Sequence, residues 1–259
     1  MIAKFDFTGK SVLVTGASRG IGYGVARAFA LAGADVVVLS GGEGIVAAAD
    51  ALAAECGRPV RGIRCDIADA GAVDRAFDGI DALDILVNNA GYERPTPVVG
   101  ATAETDETFR RIVDINIIGT WYMTRAAVRK MGDGGRIVIT SSIWGRTAVA
   151  EFSAYCASKH ANIGFMRSLS KELGPKGITV NAVCPGWVRT EASMRTLRLE
   201  AEKAGIGEAE MEQEVVAAQS LEGLLEPADI VETYLFLASD AATNITGQAI
   251  NIDRGEVMS

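Results

Sequence analysis

With 259 residues and 49% apolar content the chain can bury a full core, and a doubly wound α/β sheet of this size commonly forms one domain. A formal charge of −8 argues against a nucleic-acid partner, which needs clustered Lys and Arg, and no stretch offers the roughly 18 uninterrupted apolar residues of a membrane span. The start, MIAKFDFTGK, carries no apolar leader core, so a cytoplasmic protein is expected, binding neither nucleic acid nor membrane.

In chain order, short β-branched runs alternate with longer Ala-rich stretches of helical period, which predicts a parallel sheet covered on both faces. Strands are expected over 11–15, 35–39, 60–65, 85–88, 136–141, 179–183 and 248–252. Helices are expected over 20–32, 45–56, 70–79, 104–131, 153–173 and 227–238. Together they read as one doubly wound, Rossmann-type domain spanning 1–259. Segment 187–223 breaks the rhythm. It is far longer than an ordinary connection, rich in Glu, and follows a strand's carboxyl end, so it is expected to form a helical lid.

The first strand, SVLVT, runs into GASRGIG and then a helix, placing Gly16, Ser18, Arg19, Gly20, Ile21 and Gly22 at a strand-to-helix turn. Glycine there permits tight backbone angles and close approach of a pyrophosphate, while the helix N-terminus offers unpaired N–H groups and partial positive charge. The spacing is GxxxGxG, not the more general GxGxxG of dinucleotide sites. The second strand ends in VVVLSGGEG, with Ser40 where an acid would bind the ribose 2′-hydroxyl of NAD. Without an acid a 2′-phosphate is not repelled, and Arg19 can pair with one, whereas Glu43 can reach a ribose hydroxyl. The cofactor is read as NADP or NAD, with a slight lean to NADP.

Asp66, beside Ile67 in RCDIAD after the third strand, can accept from an adenine amino group or cap the next helix. The fourth strand closes in NNAG: Asn88 and Asn89 hold their neighbours, and Ala90 and Gly91 let the adenosine half lie against backbone. Cys56, Cys65, Cys156 and Cys184 lack any CxxC pairing and are read as buried thiols. A lone His160 cannot make a multi-histidine site, so no metal is expected.

Ser142 closes the fifth strand in SSIWGRTAVAEFSAYCASKHA, and Tyr155 and Lys159 follow four residues apart in a helical run. Residues at that spacing share one helix face, with Cβ atoms about 5–6 Å apart. A free tyrosine titrates near 10, and lowering that by about three units demands roughly 4 kcal/mol of phenolate stabilisation, which Lys159 and an oxidised nicotinamide can supply. The Ser142 hydroxyl can polarise a substrate carbonyl. Asn116, in VDINIIGTW, is expected as a buried amide that places a water next to Lys159.

On TGASRGIG at 15–22, NNAG at 88–91, Asn116, Ser142 thirteen before Tyr155, Lys159 four after it and PG at 185–186, the chain resembles the short-chain dehydrogenase/reductase family over its whole length. The resemblance implies a catalytic tetrad of Asn116, Ser142, Tyr155 and Lys159, with Tyr155 and Lys159 also at the cofactor and Lys159 binding the nicotinamide ribose. It implies that Pro185, Gly186, Val188 and Thr190 flank the nicotinamide, and that the chain forms a homotetramer. The family's DGG near the C-terminus is here Asp253–Arg254–Gly255, which puts the local turn or subunit contact in question. Gly41 stands where NADP-preferring relatives often add a second Arg.

Within the family, CPGWV at 184–188 and the long lid look most like 3-hydroxybutyrate dehydrogenases, but the positions that would hold a carboxylate appear here as Glu93, Trp144 and Phe152. A carboxylate facing Glu93 in a dry pocket would be repelled. The substrate is therefore expected to be a small neutral alcohol or ketone, such as a polyol, sugar or cyclic alcohol, met by Glu93, Trp144, Phe152 and Trp187. The alternatives are a 3-hydroxyacid dehydrogenase, a 3-oxoacyl-type reductase, and a dinucleotide-sensing scaffold, whose expected mark would be a broken tetrad. Sugar-nucleotide epimerases share YxxxK but are longer and carry a GxxGxxG turn.

Overall fold

The computed structural model describes residues 5–258. Seven strands form one sheet: β1 (Ser11–Thr15), β2 (Asp35–Ser40), β3 (Val60–Arg64), β4 (Ile85–Asn88), β5 (Arg136–Thr140), β6 (Thr179–Pro185) and β7 (Ala249–Ile252). All neighbours run parallel, in the order β3-β2-β1-β4-β5-β6-β7. Alternating residues along β1 explain why both faces are covered. Val12 and Val14 enter a core with Val25 and Phe29 of α1 (Gly20–Leu31), whereas Leu13 enters the opposite core. Parallel strands buried on both sides must be apolar at nearly every position.

The first core also receives α2 (Ile45–Cys56) through Ile45 and Leu52, and α9 (Pro227–Ala238) through Ile230 and Tyr234. The second is closed by α3 (Ala70–Phe77) and α6 (Ser153–Leu173), through residues such as Phe77 and Met166. Between them in sequence, the single helix expected over 104–131 is three pieces: α4 (Ala103–Val113), a π-helical turn (Asp114–Gly119) and α5 (Thr120–Val128). Gly119 lies there because a Cβ would stand 2.6 Å from Ile67 Cγ1. Such π turns occur mostly at functional sites, and this one carries Asn116.

The long segment after β6 folds as α7 (Glu191–Ala204) and α8 (Glu208–Ala217), packed on a small core of Trp187, Leu197, Ala201, Met211 and Leu224. No helix among the described residues is long and apolar enough to cross a membrane. Three thiols are buried, but Cys56 is only half-buried, because it ends α2 at the sheet's outer flank.

At the C-terminus, Asp253 accepts from Gly255 N at 3.1 Å and Val257 N at 2.9 Å. Arg254 takes φ 56°, in the left-handed region where glycine is at ease, at a conformational cost of about 1 kcal/mol.

Candidate active site

The strand order reverses direction between β1 and β4, and the cleft at their carboxyl ends is where an open α/β sheet receives a ligand. Gly16 has φ 65°, and a Cβ there would stand 2.7 Å from Ala90 Cα. On Gly22 a Cβ would stand 2.5 Å from both Gly16 O and Asn89 Nδ2. These glycines let the β1–α1 turn press against the end of β4. Arg19, the N-cap of α1, makes no side-chain cap bond, so no side chain of its own closes the helix start. That start remains suited to an anion.

Thr15 clamps the two strand ends: its hydroxyl accepts from Asn89 N and Ala90 N, each at 2.9 Å. Asn89 returns the bond, its Nδ2 donating to Thr15 O at 3.0 Å and Gly16 O at 3.3 Å. Asn88 points the other way and donates to Thr124 Oγ1 at 2.9 Å. Ser40 lies across the turn, its hydroxyl 3.4 Å from that of Ser18. Arg19 is paired with Glu191 of the lid at 2.8 Å. Arg64, which sequence reading passed over, donates to Gly41 O at 3.4 Å and pairs with Glu43 at 3.2 Å.

Asp66 does not cap α3, whose cap is Asp69. Its carboxylate accepts from Ala68 N at 3.1 Å and from Arg111 at 2.7 Å, and Ile67 is buried against Gly119.

Ser142, Tyr155 and Lys159 come together as their spacing predicts. Tyr155 and Lys159 face one side of α6, with Lys159 Nζ 5.4 Å from the Tyr155 ring centroid. The ammonium donates to Thr140 O at 2.8 Å. Burial pulls the Lys159 pKa down to about 8. Burial drives the Tyr155 phenol well above its ordinary value, the nearby Glu93 charge pushes it further, and the Ser142 hydroxyl works against both. Within the protein alone, desolvation is the largest of these influences. Ser142 Oγ accepts from Trp144 N at 3.1 Å, which leaves its proton free for another acceptor.

The Asn116 Nδ2 donates to Tyr92 O at 3.0 Å and Ser158 Oγ at 2.9 Å, and its Oδ1 accepts from Tyr92 N at 2.7 Å. Both donors thus fix the Tyr92 loop and α6, and Oδ1 keeps one lone pair. The amide adjoins the lysine, since a Cβ on Gly91 would stand 3.5 Å from Lys159 Nζ and 3.6 Å from Asn116 Oδ1.

Tyr155 opens on a cavity of about 290 Å³ lined by Ser142, Trp144, Pro185, Gly186, Trp187 and Val188, with Thr190 at its rim. Trp144 meets Tyr155 and Trp187 edge-on, each at 6.0 Å between ring centroids. Phe152 is 2% exposed and packs behind Trp144 at 5.4 Å, so it supports the wall instead of touching a ligand. Glu93 is neither solvated nor free: Arg195 Nη2 reaches its Oε2 at 2.8 Å and Thr196 Oγ1 its Oε1 at 2.7 Å. Both partners sit on α7, and nothing in the sequence ties positions 93 and 195 together. His160 packs on α6 with Nδ1 2.9 Å from Cys156 O.

A family model described as Enoyl-(Acyl carrier protein) reductase matches residues 16–256. D-beta-hydroxybutyrate dehydrogenase of Cupriavidus necator is 34% identical over 261 residues, covering 96% of this chain and 98% of the relative. Carveol dehydrogenase of Mycobacterium avium, solved in complex with NAD, superposes with TM-score 0.88 at 32% identity, over 96% of this chain and 98% of that one. L-sorbose reductase of Gluconobacter frateurii, complexed with NADPH and L-sorbose, gives TM-score 0.88 at 25% identity over 99% of each chain.

Proposed function

The chain belongs to the short-chain dehydrogenase/reductase family and is an NAD(P)-dependent oxidoreductase acting on CH–OH groups; from that premise we propose that it interconverts a small neutral secondary alcohol and its ketone. The observation that carries the substrate class is the pocket wall: two indoles, Trp144 and Trp187, beside a carboxylate whose charge Arg195 offsets. Polyols, sugars and cyclic alcohols combine the apolar ring or carbon face and the hydroxyls that such a wall accommodates.

The cleft fits a dinucleotide on its own geometry: the tight Gly16 and Gly22 contacts and an α1 start that lacks a side-chain cap bond suit a pyrophosphate. When bound, the cofactor's nicotinamide gives or takes the hydride, and in its oxidised form it adds a positive charge. The chain's own residues then handle the proton and the oxygen. Ser142 donates to the substrate oxygen, its lone pair already engaged by Trp144 N. Tyr155 gives its proton to the forming alkoxide, or receives one in the reverse direction. Burial and Glu93 keep the phenol protonated, the state from which ketone reduction starts. Lys159, anchored on Thr140 O, holds a positive charge beside the ring, and Asn116 fixes the segment between them.

NADP is proposed as the preferred cofactor, because β2 ends without an acid and Arg19 and Arg64 flank its mouth. Separate titrations of NAD and NADP test this, and tighter NAD would reverse it. Homotetramer assembly is proposed from the family and from Phe109 and Trp121, exposed along α4 and α5. A monomer in light scattering at micromolar concentration would refute it. For the substrate, turnover of a polyol and cyclic-ketone panel is compared with that of 3-hydroxybutyrate. Preference for the neutral compounds is expected, and preference for the hydroxy acid would overturn the reading.

A further inference from the structure

Glu93 and Arg195 stand in one cavity wall on elements 102 positions apart, one on the loop after β4 and the other on the lid helix α7. The Glu93 side chain is 11% exposed and that of Arg195 26%, so both charges are largely withdrawn from water. The contact is specific: Arg195 Nη2 donates to Oε2 and, at 3.2 Å, to the Glu93 carbonyl, while Thr196 Oγ1 takes the other carboxylate oxygen. The other charged groups on this wall are engaged elsewhere. Arg94 lies over the Tyr92 ring and donates to Glu93 O, Arg19 holds Glu191, and Lys159 holds Thr140 O.

A guanidinium in a half-closed pocket is a carboxylate receptor. Here the receptor is filled by a carboxylate of the same chain. We infer that Glu93 is a specificity determinant that acts by occupying Arg195, reserving the pocket for neutral substrates, and that removing its charge converts the site to one that accepts hydroxy acids and keto acids. The inference rests on the neutral-alcohol reading above and adds to it the residue that a foreign carboxylate would bind. Breaking a buried pair from one side leaves the other charge uncompensated, so an incoming carboxylate restores what the variant lost.

The test uses protein loaded with NADPH and two probes that this form cannot reduce, butyrate and butan-2-ol, with binding followed by calorimetry. In Glu93→Gln, butyrate is expected to bind at least about tenfold tighter than in the wild type, a difference of about 1.4 kcal/mol. Butan-2-ol should show no such gain, since it carries no charge for Arg195 to meet. The double variant E93Q/R195Q should lose the gain, and Arg195→Gln alone should bind butyrate more weakly than the wild type because Glu93 is then bare. Unchanged butyrate affinity in Glu93→Gln, or a gain that survives in the double variant, would overturn the inference. If Glu93→Gln does not fold, Arg195→Gln carries the test, and butyrate affinity equal to the wild type there would overturn it too. Failure of the wild type to turn over any neutral alcohol or ketone would instead sink the functional reading, which calorimetry does not touch.

Discussion

Along the β1–α1 turn the chain meets the end of β4 with no room for a side chain, whereas the lid adds a set of ion pairs to its apolar packing. On the first side the contacts are Gly16 against Ala90 and Gly22 against Asn89, tied by the Thr15 hydroxyl. On the second they are Arg19–Glu191, Arg195–Glu93, Lys203–Glu151 and Arg189 with Glu212 and Glu226. Backbone contacts at close packing leave no freedom, which suits a cofactor that is the same in every turnover. Ion pairs that are mostly part-exposed are each worth about 0.2–1 kcal/mol. The two sides thus differ in the kind of contact that holds them.

Variants sharpen that contrast in order of size. The largest effect is expected at Lys159, which lines the cleft beside Tyr155. Lys159→Met should lower turnover by about 10²–10⁴ without lowering the melting temperature, because the fold already carries the burden of a desolvated ammonium. A fall in stability with turnover preserved would show a structural lysine instead.

Gly22→Ala probes the rigid half. Its new methyl would stand 2.5 Å from Gly16 O, an overpacking cost of about 1–3 kcal/mol, so cofactor affinity should drop by roughly tenfold or more in a direct titration.

Outside both halves, Glu256 is half-buried near Asp253, and burial raises its carboxyl to about 7. A raised carboxyl holds its proton more tightly in the folded chain, so its contribution is full below the ordinary value of 4.5 and is lost as pH rises through about 7. Glu256→Gln should therefore melt roughly 2–4 °C higher than the wild type at about pH 8, with the gap closing at about pH 4.

The smallest effect belongs to the lid: Arg189→Ala removes two part-exposed pairs and should cost about 1 kcal/mol or less, read as a few-fold change in KM with kcat retained.

The contrast also explains what the sequence made legible. Strand and helix positions follow from local periodicity, and the glycine turn, Ser142, Tyr155 and Lys159 sit at fixed spacings within continuous segments, so their meeting along one cleft could be read directly. The partners that tune them lie far along the chain. Arg195 reaches Glu93 across 102 positions and Tyr92 reaches Asn116 across 24, and no periodicity encodes either. The π turn was hidden because Asp114–Gly119 keeps a helical composition while one extra residue shifts the register. Phe152 stands behind Trp144 at 2% exposure, and the side of that ring it occupies is set by the tertiary fold, which a match of positions does not report.

The most direct test of the proton-transfer assignment is Tyr155→Phe, assayed by loss of reduced-nicotinamide absorbance with a cyclic ketone and, separately, by cofactor titration. The expected result is cofactor binding within a few-fold of the wild type and turnover reduced by at least about 10². Turnover at the wild-type level in this variant would contradict the account.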